Sequence, residues 1–395
     1  MMADHAVADR PVADRPVAEA PATLHPSAVP TPARDRRADR VAALVERLEA
    51  EHLDAVLLTG LANVRYVTGF TGSSALAVVT RRSEVLLITD FRYQTQVADE
   101  VGGFARVVIE QSSLWTGLWQ HLASYAYVQV VGFESAHLLH RDFQRLLDAG
   151  ARWGWRPTAD LVEGLRERKD AGEVARIQEA ADVAVAALAR TLAEVRPGMT
   201  ELTVAGALER HLRACGSEGF PFETIVASGP RSALPHARAA AREIARGDFL
   251  LIDFGAVVGG YCADVTRTVV VGRADGRQRE VYAVVCGANE LAAAWVRAGM
   301  AGKDADTLAR DYIAARGHGE LFGHSLGHGL GLEVHEAPRL ARTAEAALPA
   351  GAVVTIEPGV YVPGWGGVRV EDDVHLAPEG PQLLTHFTRD LLELT

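Results

Sequence analysis

Phe249–Ala256 reads FLLIDFGA, Val257–Gly260 reads VVGG, and Tyr261–Val270 reads YCADVTRTVV. Two β-type runs flanking a short Gly-containing connection describe a β-hairpin. If Ala256 pairs with Tyr261 across a four-residue loop, Asp253 and Asp264 stand directly opposite each other on one face of the sheet. Cross-strand Cβ atoms then lie about 4.5–5.5 Å apart. Like charges at that separation repel by about 3 kcal/mol at an effective dielectric near 20. An apolar hairpin keeps such a pair only with a proton or a cation between them, and paired aspartates suit hard divalent ions that take oxygen ligands.

Working outward, four more stretches carry polar chemistry in loop or strand contexts. Pro235-His236-Ala237-Arg238 follows ASGP; Gly323–Glu336 reads GHSLGHGLGLEVHE; Thr355–Tyr361 reads TIEPGVY; Gly367–Val374 reads GVRVEDDV. Glu357 and Glu371 lie on two strand-like runs joined by a Pro/Gly-rich connection and can sit side by side, although Pro358 and Gly359 invite a bulge. Two Asp, two Glu and one His can hold two ions and leave positions open for water.

Other patterns in these stretches mislead. Gly323–Gly327 fits GxSxG, but a nucleophile elbow needs a strand before it and a helix after it, and the following HGLGL is a poor helix former. His335-Glu336 begins HExxH, yet Arg339 stands where the second histidine belongs. Cys262 neighbours Asp264, and a soft thiolate beside hard carboxylates is mismatched, so buried packing is expected.

The remaining chain forms two blocks and a tail. Residues 1–36 are expected to be a disordered low-complexity tail: VADRP occurs at 7–11 and 12–16, VAEAP follows at 17–21, and six of the 17 prolines fall between Pro11 and Pro32. Strand candidates at 54–59, 75–80, 85–89, 106–110 and 128–133 alternate with helical patterns around 91–100, 112–124 and 135–148, an α/β pattern for a domain over 37–162. No GxGxxG follows a strand, so a dinucleotide fold is not supported. Over 163–395, long helices near 170–194, 200–215, 277–298 and 304–316 alternate with the chemistry-bearing strands, and Thr200 is placed to cap the second of these helices.

Among 395 residues, 48% are hydrophobic and 23% charged, and the formal charge is −11. That balance argues against nucleic-acid or anionic-membrane partners. Three cysteines without a CxxC pair favour a cytoplasmic location over a disulfide framework, and no apolar run is long enough to span a bilayer.

Taken together, LLIDFGA…YCADVTRT, GHGLGLEVHE, TIEPGVY and GVRVEDDV resemble the pita-bread metallopeptidases, in the Xaa-Pro aminopeptidase and prolidase branch. NVRYVTGFTGSSA at 63–75 looks like that branch's creatinase-type N-terminal domain. The resemblance implies an α/β N-terminal domain followed by an α+β pita-bread catalytic domain. It implies that Asp253, Asp264, His328, Glu357 and Glu371 bind two divalent ions, Mn²⁺ foremost with Co²⁺ or Zn²⁺ as alternatives. It also implies substrate contacts from His236 and His335, a place beside the proline pocket for His324, and a homodimer. The expected activity is removal of the residue preceding proline from short proline-containing peptides by a metal-bridged hydroxide. Glu357 then carries a proton, His335 steadies the oxyanion, His236 contacts the substrate, and Arg369, on the same strand face as Glu371, walls the leaving-group side. An Xaa-Pro dipeptidase is the alternative, needing Arg339, Arg342 or Arg369 to hold a substrate carboxylate; a non-catalytic peptide-binding scaffold is the remaining one. Deleting residues 1–34 is expected to leave melting temperature and activity unchanged, because a segment so rich in proline and so poor in large apolar residues does not repay its ordering entropy; comparing the truncated and full-length proteins checks this.

Overall fold

The computed structural model describes residues 35–395; the tail expected over 1–36 lies, up to residue 34, outside them. Helix α1 (Arg37–Ala50) presents Val41, Leu44 and Leu48 on its buried stripe. Strands β1 (Ala55–Leu58), β2 (Ala75–Thr80), β3 (Val85–Asp90), β4 (Arg106–Glu110), β5 (Val130–Glu134) and β6 (Gly154–Thr158) form one mixed sheet in the order β4-β3-β2-β1-β5-β6. Helices α2 (Leu61–Thr68), α3 (Gln94–Val101), α4 (Leu114–Leu122) and α5 (His140–Asp148) alternate with these strands, as the α/β reading requires. Sequence periodicity missed β6, whose GWRPT carries a proline and lies on the sheet edge, where a missing N–H is tolerated. It also missed α2, whose LANVRYVT is buried at five of eight positions and so shows no polar face.

The short α6 (Glu163–Arg166) leads into α7 (Ala171–Glu194), which starts at a capping box between Asp170 and Glu173. Its buried Ile177, Ala180, Ala181, Ala184, Ala187 and Leu188 recur at helical spacing. Helix α8 (Glu201–Cys215) begins where Thr200 accepts the Thr203 N–H at 3.1 Å, the expected cap, and ends on left-handed Gly216. These two helices pack on the sheet built by β7 (Ile225–Ser228), β8 (Phe249–Phe254) and β11 (Val265–Val271). Helices α9 (Gly276–Trp295) and α10 (Gly302–Ala314) pack on a second sheet made of β12 (Gly327–Gly329), β13 (Glu336–Leu340), β14 (Val353–Ile356), β17 (Asp372–Ala377) and β18 (Gly380–Leu383). Helix pairs thus cover two strand layers, an α+β arrangement.

The decisive hairpin differs from expectation in its register. Between β8 and β11 run the short β9 (Val257–Val258) and β10 (Tyr261–Cys262), with Tyr261 pairing Val258. The loop is therefore two residues, Gly259-Gly260, with φ of 55° and 76°, the positive pair that a type I′ turn demands. Asp253 consequently pairs with Thr266, and Asp264 is its diagonal neighbour instead of its direct opposite. A shift of two residues preserves the strand period, so both aspartates still share a face. The second pair departs less. Val353 through Ile356 pair with His375 through Asp372, and β15 (Gly359–Val362) pairs β16 (Gly366–Arg369) in the same register. Glu357 and Glu371 therefore stand directly opposite, and no bulge intervenes. Gly260→Ala is expected to cost about 1–2 kcal/mol, since L-residues pay that for a left-handed backbone; a lower urea midpoint at unchanged slope would record it.

Candidate metal centre

The two sheets meet on one line. An isolated bridge joins Thr266 to Glu371, with the Glu371 N–H donating to the Thr266 carbonyl at 3.1 Å. Across the strands this aligns Asp253, Thr266, Glu371 and Glu357 in a row. His328 enters from β12, where the Glu357 N–H donates to the Leu326 carbonyl at 2.9 Å. Its Nε2 lies 3.4 Å from Glu357 Oε1 and 3.8 Å from Asp264 Oδ2. Nδ1 donates to the Gly329 carbonyl at 3.0 Å, which leaves Nε2 as the ligating nitrogen. Ligand atoms of Asp264, His328 and Glu371 all lie within 4.8 Å of one another.

All five residues expected as ligands line one cavity. Burial first, and then the charges of Asp253, Glu357 and Asp373, push the Asp264 carboxyl far above its usual range. Glu371 is raised likewise, by burial and then by Asp264 and Glu357. Glu357 is pushed up to about 8 by burial, with Asp253 adding to the rise and Arg369 opposing it. Burial drops the His328 imidazole to about 4, so it is neutral and able to coordinate. Asp253 Oδ1 and Asp264 Oδ1 are buried without a hydrogen-bond partner. Orphaned carboxylate oxygens, like charges in mutual contact and one neutral imidazole form the donor set that hard or borderline divalent ions need. The residues fit a metal centre.

The supporting contacts were legible only in part. Thr266 Oγ1 donates to Glu371 Oε2 at 2.6 Å and accepts from Arg369 Nε at 3.1 Å. Arg369 Nη1 reaches the Tyr361 hydroxyl at 2.7 Å and the Pro235 carbonyl at 3.2 Å, and Nη2 bonds Asp253. Arg369 does line the cavity, but every guanidinium nitrogen is already taken. The sequence did not show this anchoring, because its partners come from four separate strands and loops. Thr266 and Tyr361 also went unread, although Thr266 sits two residues from Asp264 on the same face.

A cavity of about 980 Å³ opens over the centre, lined among others by His236, His324, His335 and Arg339. The His335 ring lies 4.5 Å from that of His328. His324 Nε2 meets the Tyr361 hydroxyl at 2.9 Å, and burial lowers its imidazole to about 4. His236 is exposed on the cavity wall. Arg339 pairs with His328 across β12 and β13, so it shares that face; among the described residues its guanidinium has no hydrogen-bond or ion-pair partner. Arg342 does not line this cavity.

The decoys resolve physically. Ser325 lies between a 3₁₀ turn and a strand, without the helix an elbow requires. Glu336 opens a strand rather than a zinc helix. Cys262 is buried, and burial pushes its thiol up to about 12. A second acidic group, Glu134, His137 and Glu163, also lines up ligand atoms. Most of its oxygens already have protein partners, however: both Glu134 oxygens accept, from Thr59 N, Gly60 N and Asn63, and Glu163 Oε1 accepts from Asn63 and His137.

Comparison with known proteins agrees with this geometry. The model for metallopeptidase family M24 matches residues 175–378, and that for the creatinase/prolidase N-terminal domain matches 40–168. An uncharacterized peptidase of Bacillus subtilis is 42% identical, the match covering 87% of this chain and 96% of that one. An Xaa-Pro dipeptidase from Bacillus anthracis superposes with a TM-score of 0.87 at 38% identity, over 91% of this chain and 100% of that one. An X-Pro aminopeptidase from Thermotoga maritima gives a TM-score of 0.82 at 36% identity, over 89% and 99%.

Raised carboxyls carry a pH signature. Without metal, the unfolded chain releases the Glu357 proton near 4.5 while the folded site holds it to about 8, so the folded state binds more protons through that window. Stability of the chelated protein is therefore expected to fall as pH rises from about 6.5 to 8; below that, the lowered His324 and His328 imidazoles act in the opposite direction. Melting curves with chelator and with added Mn²⁺ check this: metal should raise the melting temperature most at the alkaline end.

Proposed function

Because the chain belongs to metallopeptidase family M24, with a creatinase/prolidase N-terminal domain, we propose that it is an Xaa-Pro dipeptidase acting on short proline-containing peptides. The observation that carries this reading is the unpaired Arg339 guanidinium on the cavity face beside His328. A dipeptide ends in a carboxylate directly after its proline, and a guanidinium fork binds carboxylate strongly and directionally. The Bacillus anthracis structure, itself titled an Xaa-Pro dipeptidase, points the same way. This ranks the dipeptidase above the aminopeptidase that the motifs first suggested. With Arg369 committed and Arg342 outside the cavity, Arg339 is the remaining anchor of the three arginines considered.

We propose manganese as the resident metal, held by Asp253, Asp264, His328, Glu357 and Glu371. When bound, a divalent pair supplies water acidic enough to attack near neutral pH and polarises the scissile carbonyl. The protein's own groups do the rest. Glu357, as a carboxylate, takes a proton from the attacking water and delivers it to the prolyl nitrogen as the C–N bond breaks. His335 donates to the oxygen that gains negative charge. His324, kept neutral by burial, offers its ring to the proline, and His236 contacts the substrate from the cavity wall. We place the boundary between the two domains at 162/163.

Three measurements test this. Turnover of Ala-Pro is expected to exceed that of Ala-Pro-Ala and Ala-Ala, with Arg339→Met raising KM for Ala-Pro about 10–100-fold, the value of a lost charged hydrogen bond; a preference for the tripeptide would return the aminopeptidase reading. Glu357→Gln is expected to cut kcat about 10²–10⁴-fold in protein that still folds. Exhaustive chelation is expected to abolish activity and Mn²⁺ or Co²⁺ to restore it, as followed by proline release.

A further inference from the structure

Beyond the carboxylate centre, a dense charge network, buried at Arg166, Lys169 and Glu336 and half-exposed at Glu333, lies where α6 meets the segment around His335. The Arg166 side chain is 3% exposed, and its Nη2 bonds both Glu333, at 2.7 Å, and Glu336. Lys169, 1% exposed, approaches the other oxygen of Glu336 at 3.3 Å. The Glu333 N–H donates to Glu336 Oε1 at 3.0 Å. Burial opposes ionisation of Glu336, but Lys169 and Arg166 overcome it and hold its carboxyl below the usual range. On its other side Arg166 Nη1 donates to Asn63 Oδ1 at 2.7 Å, and Asn63 is itself held at 2.6 Å by both Glu134 and Glu163.

This arrangement lies next to His335. His335 is exposed and precedes β13, and the loop before it carries backbone bonds from Leu330 N–H to the Val353 carbonyl at 3.1 Å, from Cys262 N–H to the Gly331 carbonyl at 2.7 Å and from Gly331 N–H to the Glu333 carbonyl at 3.0 Å. Sheet pairing begins only at the next residue, where Glu336 pairs with Gly329, and the carboxylates of Glu333 and Glu336 flank His335 in the chain. A guanidinium presents a planar fork of donors and can hold two carboxylates in fixed relation, which a point-charge ammonium does less well. Arg166 meets both flanking carboxylates and also lines the cavity.

We propose that Arg166 is a positioning residue for His335: through Glu333 and Glu336 it sets where the imidazole stands over the cleft, and through Asn63 it ties that position to the docking of α2 and α6. The inference rests on the role given to His335 above. The test uses full-length, manganese-loaded protein and measures kcat, KM and bound metal for Arg166→Met, Arg166→Lys, His335→Ala and the Arg166→Met/His335→Ala double variant. The substrate is Ala-Pro, or Ala-Pro-Ala should that be cleaved faster. Arg166→Met is expected to lower kcat about 10–100-fold, the scale of a small misplacement of a reacting group, with metal content unchanged. Arg166→Lys is expected to recover part of the loss. In the His335→Ala background, Arg166→Met is expected to add less than about twofold, because groups acting as a unit are not additive. Full additivity of the two losses, or unchanged kcat in Arg166→Met, would overturn the proposal while leaving the role of His335 intact. Failure of both Arg166 variants to fold would assign the network to stability and overturn it too. Normal kcat in His335→Ala would withdraw the oxyanion role itself, and this inference with it.

Discussion

Mutual repulsion of buried carboxylates is the constraint on which the rest of this structure depends. Asp253, Asp264, Glu357 and Glu371 are gathered at the seam between two sheets, where water is scarce and like charges interact strongly. Arg369 relieves part of the strain by bonding Asp253, while its other nitrogens hold Thr266, Tyr361 and Pro235. What remains is a set of orphaned oxygens that a divalent cation satisfies. The same burial that makes the metal-free site costly keeps His328 neutral for coordination and Glu357 able to carry a proton near neutral pH.

Such a site survives only if the backbone beneath it cannot relax, and buried charge supplies that rigidity as well. Arg267, 2% exposed, donates to the carbonyls of Thr266 and Glu371 and to Asp372, and it also reaches the carbonyls of Phe387 and Thr388. It thereby locks the bridge between the sheets to the C-terminal segment. On the far side, Asp306 and Arg310 of α10 form a buried pair. Asp306 accepts the Leu326 N–H at 3.0 Å, and Arg310 donates to the carbonyls of Phe322 and His324 at 2.8 Å. Removing either partner would leave an uncompensated charge in the interior, which is far more costly than losing a surface pair.

From these supports the chemistry of the cleft follows. One wall gathers the acidic residues, another carries a neutral His324 against Tyr361, and Arg339, without a partner among the described residues, lies on the strand face shared with His328. The family comparison and the geometry agree on a peptidase of family M24, and the cation on the cavity wall is the feature on which the proposed dipeptidase reading rests.

Strand periodicity alone determined that Asp253 and Asp264 share a face. The hairpin register differs from the sequence expectation by two residues, and a shift of two leaves every side chain on its side. Alternation of strands and helices likewise determined the α/β and α+β blocks, and the loop histidines were visible among their glycines. The tertiary structure decided what no local pattern encodes. The Gly259-Gly260 turn set the register, an isolated bridge between Thr266 and Glu371 brought the two hairpins into one centre, and partners from distant segments occupied Arg369. Arg166 meets Glu336 across 170 residues of chain. Contacts at that range depend on how whole sheets and helices pack, and a chain read residue by residue carries the charges but not their distances.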